Sequence, residues 1–205
     1  MNGIRAFEAG TILYIVIAAI LAGFYVLNTN ISTPIVQSNP QIAIPVVSQT
    51  PRVETASQIS PDGKVNLIME VTNNNDGTYF YEFTTEGTSL PKTKIYLTTA
   101  ESKIFSIPFN AWSPNNKHFF IYKGGSNNAL VFRADGQPFS ETEKFIDLGE
   151  VFSAKYENIA IKEVTGWADP ALIVFNKEDK DGKKASYWLE VPSKAIIPLS
   201  TNFYD

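Results

Sequence analysis

The sequence predicts an all-β domain of about three four-stranded units, preceded by one N-terminal transmembrane helix. Three observations predict it. Residues 9–27 read AGTILYIVIAAILAGFYVL, with no charge and no proline. The aromatics of the remaining chain fall mostly in short alternating runs, the pattern of half-buried strands. A turn followed by an apolar strand recurs at intervals of 53 and 55 residues.

The first element is the anchor. As a helix, residues 9–27 span roughly 28 Å, close to the thickness of a bilayer's hydrocarbon layer. The anchor includes Ala9, Leu13, Val16, Ile20 and Leu27, with Tyr14, Phe24 and Tyr25 towards its ends, where aromatic rings tolerate headgroups. A cleaved signal peptide is a second reading, but the run exceeds the roughly 7–15 residues of such signals and Ile20 is a poor residue three positions before a cut. A third reading takes Gly3-Ile4 as a cleavage point resembling that of type IV prepilins, with Glu8 as the fifth mature residue. Asn28-Thr29-Asn30 and Pro34 end the helix early for a pilin, and no basic residue precedes Gly3. The signal anchor is the reading we carry forward. Arg5 and the N-terminal amine precede the helix, and no Lys or Arg follows it until Arg52. This asymmetry puts residues 1–8 in the cytoplasm and the bulk of the chain outside, at the cell membrane.

Residues 28–58 read as a proline-rich linker. Pro34, Pro40, Pro45 and Pro51 recur among Ser, Thr, Gln and Asn, which denies helix and favours an extended, semi-rigid stalk. At about 3.1 Å per residue such a stalk reaches on the order of 90 Å. The apolar stretch Gln41–Val47 is a candidate edge strand.

The domain follows as residues 59–205, in units 59–111, 112–166 and 167–205. Their starts are Ile59-Ser60-Pro61-Asp62-Gly63-Lys64, Trp112-Ser113-Pro114-Asn115-Asn116-Lys117 and Trp167-Ala168-Asp169-Pro170. The apolar strands VNLIMEV, HFFIYKG and ALIVFNKE come next, then a polar turn, then TYFYEFT, ALVFRAD and ASYWLEV. KIYLTTA and KIFSIPF complete the first unit as strands, and FIDLGEV and YENIAIKEV the second. Pro61 and Pro114 preset φ for β-turns, and Gly63, Gly77, Gly136 and Gly182 supply positive φ. Four short strands recurring at about 50 residues is the period of a propeller blade.

The Trp-Ser-Pro-Asn-Asn-Lys turn, the degenerate Ser-Pro-Asp-Gly-Lys turn and Phe132-Arg133-Ala134-Asp135-Gly136 resemble the TolB-like β-propeller repeat. The resemblance covers roughly residues 59–200 and is clearest in the second unit. It implies stacked blades used as a binding scaffold in the cell envelope, or as a domain attached to a peptidase. Three units do not close a ring of four to eight blades. An open wedge, a homo-oligomer completing the propeller, and a β-sandwich are the three ways to resolve this.

Composition narrows the chemistry. The chain of 205 residues has no cysteine, which removes disulfides, thiolate metal sites and a cysteine nucleophile. A formal charge of −4 argues against nucleic acid as partner. His118 is the only histidine, and it stands at a strand head without a G-x-S-x-G elbow elsewhere. Asp179-Lys180-Asp181-Gly182 matches only the start of a calcium loop and reads as a hairpin tip. Glu141, Glu143, Asp147 and Glu150 read as a solvated face among lysines, and Trp112, Trp167 and Trp188 as packing residues. No cofactor, metal or catalytic residue is assigned. The loop carrying Gln137, Phe139, Glu141 and Glu143 is the candidate binding loop, because long loops often carry recognition. The expected function is a non-enzymatic, membrane-anchored binding scaffold for an envelope protein or a cell-envelope polymer. The alternatives are an envelope hydrolase accessory or glycan-active domain, and a type IV pilin-like subunit processed after Gly3.

Overall fold

The computed structural model describes residues 52–88, 90–157 and 159–200, all within one compact unit. The anchor residues Ala9, Leu13, Val16, Ile20 and Leu27 lie outside the described residues, as does Gln41–Val47. Among the described residues no helix is long and apolar enough to cross a membrane.

These residues form three four-stranded antiparallel sheets, and the fold is all-β with one short helix. The first sheet runs β1 (Val53–Ile59), β2 (Val65–Asn73), β3 (Tyr79–Gly87) and β4 (Leu90–Ala100), each strand pairing with the next. The second runs β5 (Phe105–Ser106), β6 (His118–Lys123), β7 (Ala129–Arg133) and β8 (Ile146–Asp147) in the same way. The third runs β9 (Ile161–Asp169), β10 (Leu172–Glu178), β11 (Lys184–Glu190) and β12 (Ala195–Ser200).

The sheets are offset from the sequence repeat by one strand. Each repeated turn sits inside a sheet, between its first and second strands. Val53–Ile59, which the composition places in the linker, is therefore the first strand of the first sheet. Phe105–Ser106 pairs with β6 and belongs to the second sheet rather than the first. The segment FIDLGEV also differs from expectation. Only Ile146–Asp147 is strand, and Leu148–Ser153 is helix α1. Asp147 explains the change, because its side chain caps the helix by accepting from the Glu150 amide. Leu148 and Phe152, four residues apart, share the buried face of that helix.

The first two turns match bond for bond. Ser60 Oγ accepts from the Val65 amide at 3.0 Å and donates to Asp62 Oδ1 at 2.7 Å. Ser113 Oγ accepts from the His118 amide at 3.0 Å and donates to Asn115 Oδ1 at 2.9 Å. The same carboxylate or amide oxygen takes the Lys64 or Lys117 amide at 3.1 Å. The residue in the left-handed region is Gly63 at φ 71° in one turn and Asn116 at φ 60° in the other. Glycine reaches that region freely and asparagine tolerates it better than most residues.

Packing follows from alternation along the second sheet. Phe119, Ile121, Leu130 and Phe132 face one way and join Leu67, Met69, Tyr81 and Phe83 of the first sheet. Phe120, Ala129 and Val131 face the other way and join Ile173, Phe175, Tyr187 and Leu189 of the third. The second sheet is thus buried on both faces. The first sheet buries one face in this core, and its other face mixes Ile68, Phe80 and Leu97 with the ion pairs Lys92–Glu70 at 3.4 Å and Lys94–Glu82 at 3.3 Å. Helix α1 fills the border of the second and third sheets, with Phe152 edge-on to Phe175 at 5.2 Å. Trp188, expected in the core, is half-buried on the opposite face of β11 from Tyr187 and Leu189, level with Val174 and Ile197.

The turn chemistry generates a prediction. Asn116→Ala removes the short polar side chain that lets asparagine tolerate the left-handed region and should cost about 1 kcal/mol, whereas Asn116→Gly should lie within about 0.5 kcal/mol of the parent. Urea denaturation midpoints of the three proteins check the order.

Candidate functional site

The three turn ends come together at one end of the domain, and the tryptophans hold them there. Trp112 Nε1 donates to the Gln58 carbonyl at 3.0 Å. Trp167 Nε1 donates to the Ala111 carbonyl at 2.9 Å. In the repeat frame these are the same bond made twice: each indole reaches the residue just before the equivalent position of the preceding unit. The first unit has Ile59 at the tryptophan position, and its side chain is exposed.

Side-chain amides add further links. Gln58 Nε2 donates to the Phe109 carbonyl, and Asn110 Nδ2 donates to the Thr165 carbonyl. The Asn110 amide lies directly against Gly166, at φ 138°, where a Cβ would collide with it. Glycine at 166 therefore serves a close approach between the second and third units.

Between these links lies an open groove of about 540 Å³, lined by Pro61, Asn110, Trp112, Pro114, Thr165, Gly166, Trp167 and Val174. None of these side chains is charged. Phe109 adjoins Asn110 at its rim and is 95% exposed, the largest exposure of any large apolar side chain among the described residues. The cause is local. Phe105 is buried and Ile107 half-buried, and strand alternation would turn Phe109 inward as well. Pro108 ends the run, and a turn closed by the Ala111 amide on the Pro108 carbonyl at 3.1 Å turns Phe109 outward. The sequence reading missed Phe109. The Pro108 that precedes it was the available signal.

The candidate loop residues fall elsewhere and divide by role. Gln137 and Glu141 are exposed. Phe139 is half-buried and stacks on His118, with ring centroids 5.9 Å apart. Glu143 pairs with Lys194 of the third sheet's last turn at 2.5 Å. Two of the four thus clamp the loop to its surroundings. The other acids of this region serve local structure. Asp147 is buried, caps α1 and pairs with Lys123 at 3.0 Å. Asp179 spends Oδ1 on the Asp181 and Lys183 amides at 3.1 and 2.8 Å, which closes the hairpin tip. These amide bonds hold its carboxyl below the usual carboxylate range. Among the described residues no group of three His, Asp or Glu side chains is arranged to hold a metal ion.

Comparison with protein-family models, with curated proteins and with solved structures finds no match for this chain.

Trp167→Phe keeps an aromatic side chain of smaller area and removes the indole donor. The Ala111 carbonyl still accepts from the Phe120 amide at 2.9 Å, so no acceptor is orphaned. The expected loss is at least about 1 kcal/mol, the net worth of one such bond, with the packing lost against Phe120 added to it, read as a shift in the denaturation midpoint with an unchanged slope.

Proposed function

We propose that this chain is a membrane-anchored, extracytoplasmic binding scaffold whose three sheets are propeller-like blades stacked in an open array. Its turn end is the binding face. The observation that carries the proposal is Phe109. An almost fully exposed apolar side chain, backed by a carbonyl bonded to Gln58 and set beside an uncharged groove, has the character of an interface anchor. Isolated exposed apolar residues are ordinary on a protein surface, but this one directly precedes Asn110, which lines a groove with no charged side chain.

Stacking of the sheets through both faces of the second supports the blade reading, as do the repeated Trp-to-carbonyl bonds. The resemblance of the turns to the TolB-like repeat points the same way. The partner is an envelope protein or polymer with an uncharged contact surface, since a charged group placed in the groove would lose water without gaining a counter-charge. The membrane assignment rests on residues 9–27 and their flanking charge. An anchor confines the scaffold near the membrane, so modest affinity at Phe109 suffices for capture.

Two outcomes are expected. A photo-crosslinking residue at position 109 of the full-length chain, expressed in its native cells, yields a discrete adduct, and the same residue at Lys180 yields none; equal labelling at both positions overturns the assignment of the face. In the same cells the full-length chain resists extraction from membranes at alkaline pH. Release into the soluble fraction overturns the anchor.

A further inference from the structure

We propose that His118 is an acid-sensitive latch: the neutral imidazole holds the 137–145 loop against the third sheet, and protonation of the ring frees that loop. The ring of His118 lies between two aromatic rings from different elements. Phe139, from the loop, is 5.9 Å away and nearly parallel at 9°, and Trp167, from β9, is 6.2 Å away at 21°. The Pro170 carbonyl, in the turn after β9, faces the ring as a hydrogen-bond acceptor. Nδ1 is buried and has no partner.

That arrangement suits one protonation state. A neutral imidazole donates from one nitrogen only, and the Pro170 carbonyl can take that proton. The imidazolium carries a second N–H, and at Nδ1 it would meet neither acceptor nor water. The charged groups near the ring are Lys117 on its own strand's approach, Arg133 at the end of β7, and Asp135 in the following turn. The two cations oppose protonation; the bond to the Pro170 carbonyl and Asp135 favour it, but Asp135 is committed to Arg133 at 2.6 Å. The groups presented by the loop, by β9 and by its turn, Phe139, Trp167 and Pro170, are uncharged. Burial, the largest cause, holds the imidazole below its ordinary value of about 6.5.

The loop is also held at its two ends, where the Gln137 amide donates to Asp135 Oδ1 at 3.0 Å and Phe145 packs on Tyr96 and Phe132 with ring centroids 5.3 and 5.6 Å apart, so the part the latch controls is the stretch between them. Among the described residues it contains no strand between 137 and 145. It closes on itself through the Phe139 amide to the Glu143 carbonyl at 2.8 Å, and it reaches the third sheet's last turn through Glu143–Lys194. The linkage sign follows from the depressed value. The freed loop leaves His118 in water, where it binds a proton more tightly than in the closed form. The latch is fully engaged above about pH 6.5 and is lost as the pH falls towards the lower closed-state value. Release would uncover the face of the His118 ring that Phe139 covers and add Phe139 to the exposed apolar surface.

Amide hydrogen exchange of the full-length chain at pH 7.5 and 5.5, corrected for intrinsic rates, tests this. The Phe139, Ser140 and Glu143 amides should lose protection on acidification, by at most roughly tenfold for an open-state value of about 6.5, and amides in β6 and β7 should not. His118→Phe, which keeps the stack and cannot titrate, should hold the loop equally at both pH values. Glu143→Gln should loosen the loop at both while retaining the pH step. Equal protection of the parent at the two pH values, or an undiminished step in His118→Phe, overturns the latch. Should His118→Phe fail to fold, the single histidine gives an unambiguous imidazole resonance in the parent chain. A midpoint below 6.5 that coincides with the loop's loss of protection supports the latch, and a midpoint at or above 6.5 overturns it.

Discussion

The structure depends on a sheet that cannot meet water on either side. Phe119, Ile121, Leu130 and Phe132 on one face, and Phe120, Ala129 and Val131 on the other, are each at most 2% exposed. Burying side chains of this size is worth roughly 1.5–3 kcal/mol apiece, so both neighbouring sheets are required. The end sheet has no such demand, and β2, β3 and β4 can place Glu70, Glu82, Lys92 and Lys94 on the first sheet's outer face. Apolar burial is indifferent to direction and would tolerate several ways of sliding one sheet on the next. The bonds from Trp112 and Trp167 to backbone carbonyls, and the close fit of Asn110 on Gly166, choose among them.

How much of this is legible in the sequence depends on how local the cause is. The first two repeats are visible because Ser-Pro-x-Gly and Ser-Pro-x-Asn encode their turns within six residues, and the hydrogen bonds at Ser60 and Ser113 are satisfied in place. The sheet frame is not visible, because the repeated marker is a turn and says nothing about which earlier strand pairs beside it. Val53–Ile59 has no apolar alternation of its own to announce it; four of its seven residues are polar, and its pairing partner β2 supplies the order. Helix α1 was hidden for a related reason. FIDLGEV alternates like a strand until Asp147 finds the Glu150 amide. The site was the least legible part. Nothing adjacent in sequence tells Glu143 that Lys194 will sit beside it, or Phe139 that His118 will, and both contacts cross long separations.

The groove and the loop divide the molecule's surface chemistry. Around the groove, polar groups are consumed by the frame itself, since the indole nitrogens and the amides of Gln58 and Asn110 all point to backbone carbonyls of a neighbouring unit. What remains at the rim is shape and apolar surface on a rigid base, which favours a pre-organised contact. The loop carries Glu141 and Glu143, and of its four candidate binding residues Gln137 and Glu141 are the exposed pair. A recognition surface that is rigid in one part and loosely held in another can discriminate through the first and respond through the second.

Strand β1 has a further consequence. Its seven residues pair in unbroken register from Val53↔Thr72 to Ile59↔Asn66, and the chain enters at the Val53 end while Gln58 holds the Phe109 turn at the other. A molecule tethered at its N-terminal side and gripped at Phe109 would carry tension along the strand axis. All seven pairs then resist together in shear, instead of peeling apart one at a time. That geometry suits a module that must stay folded while pulled, and it ties mechanical lifetime to the rate of forced unfolding rather than to equilibrium stability.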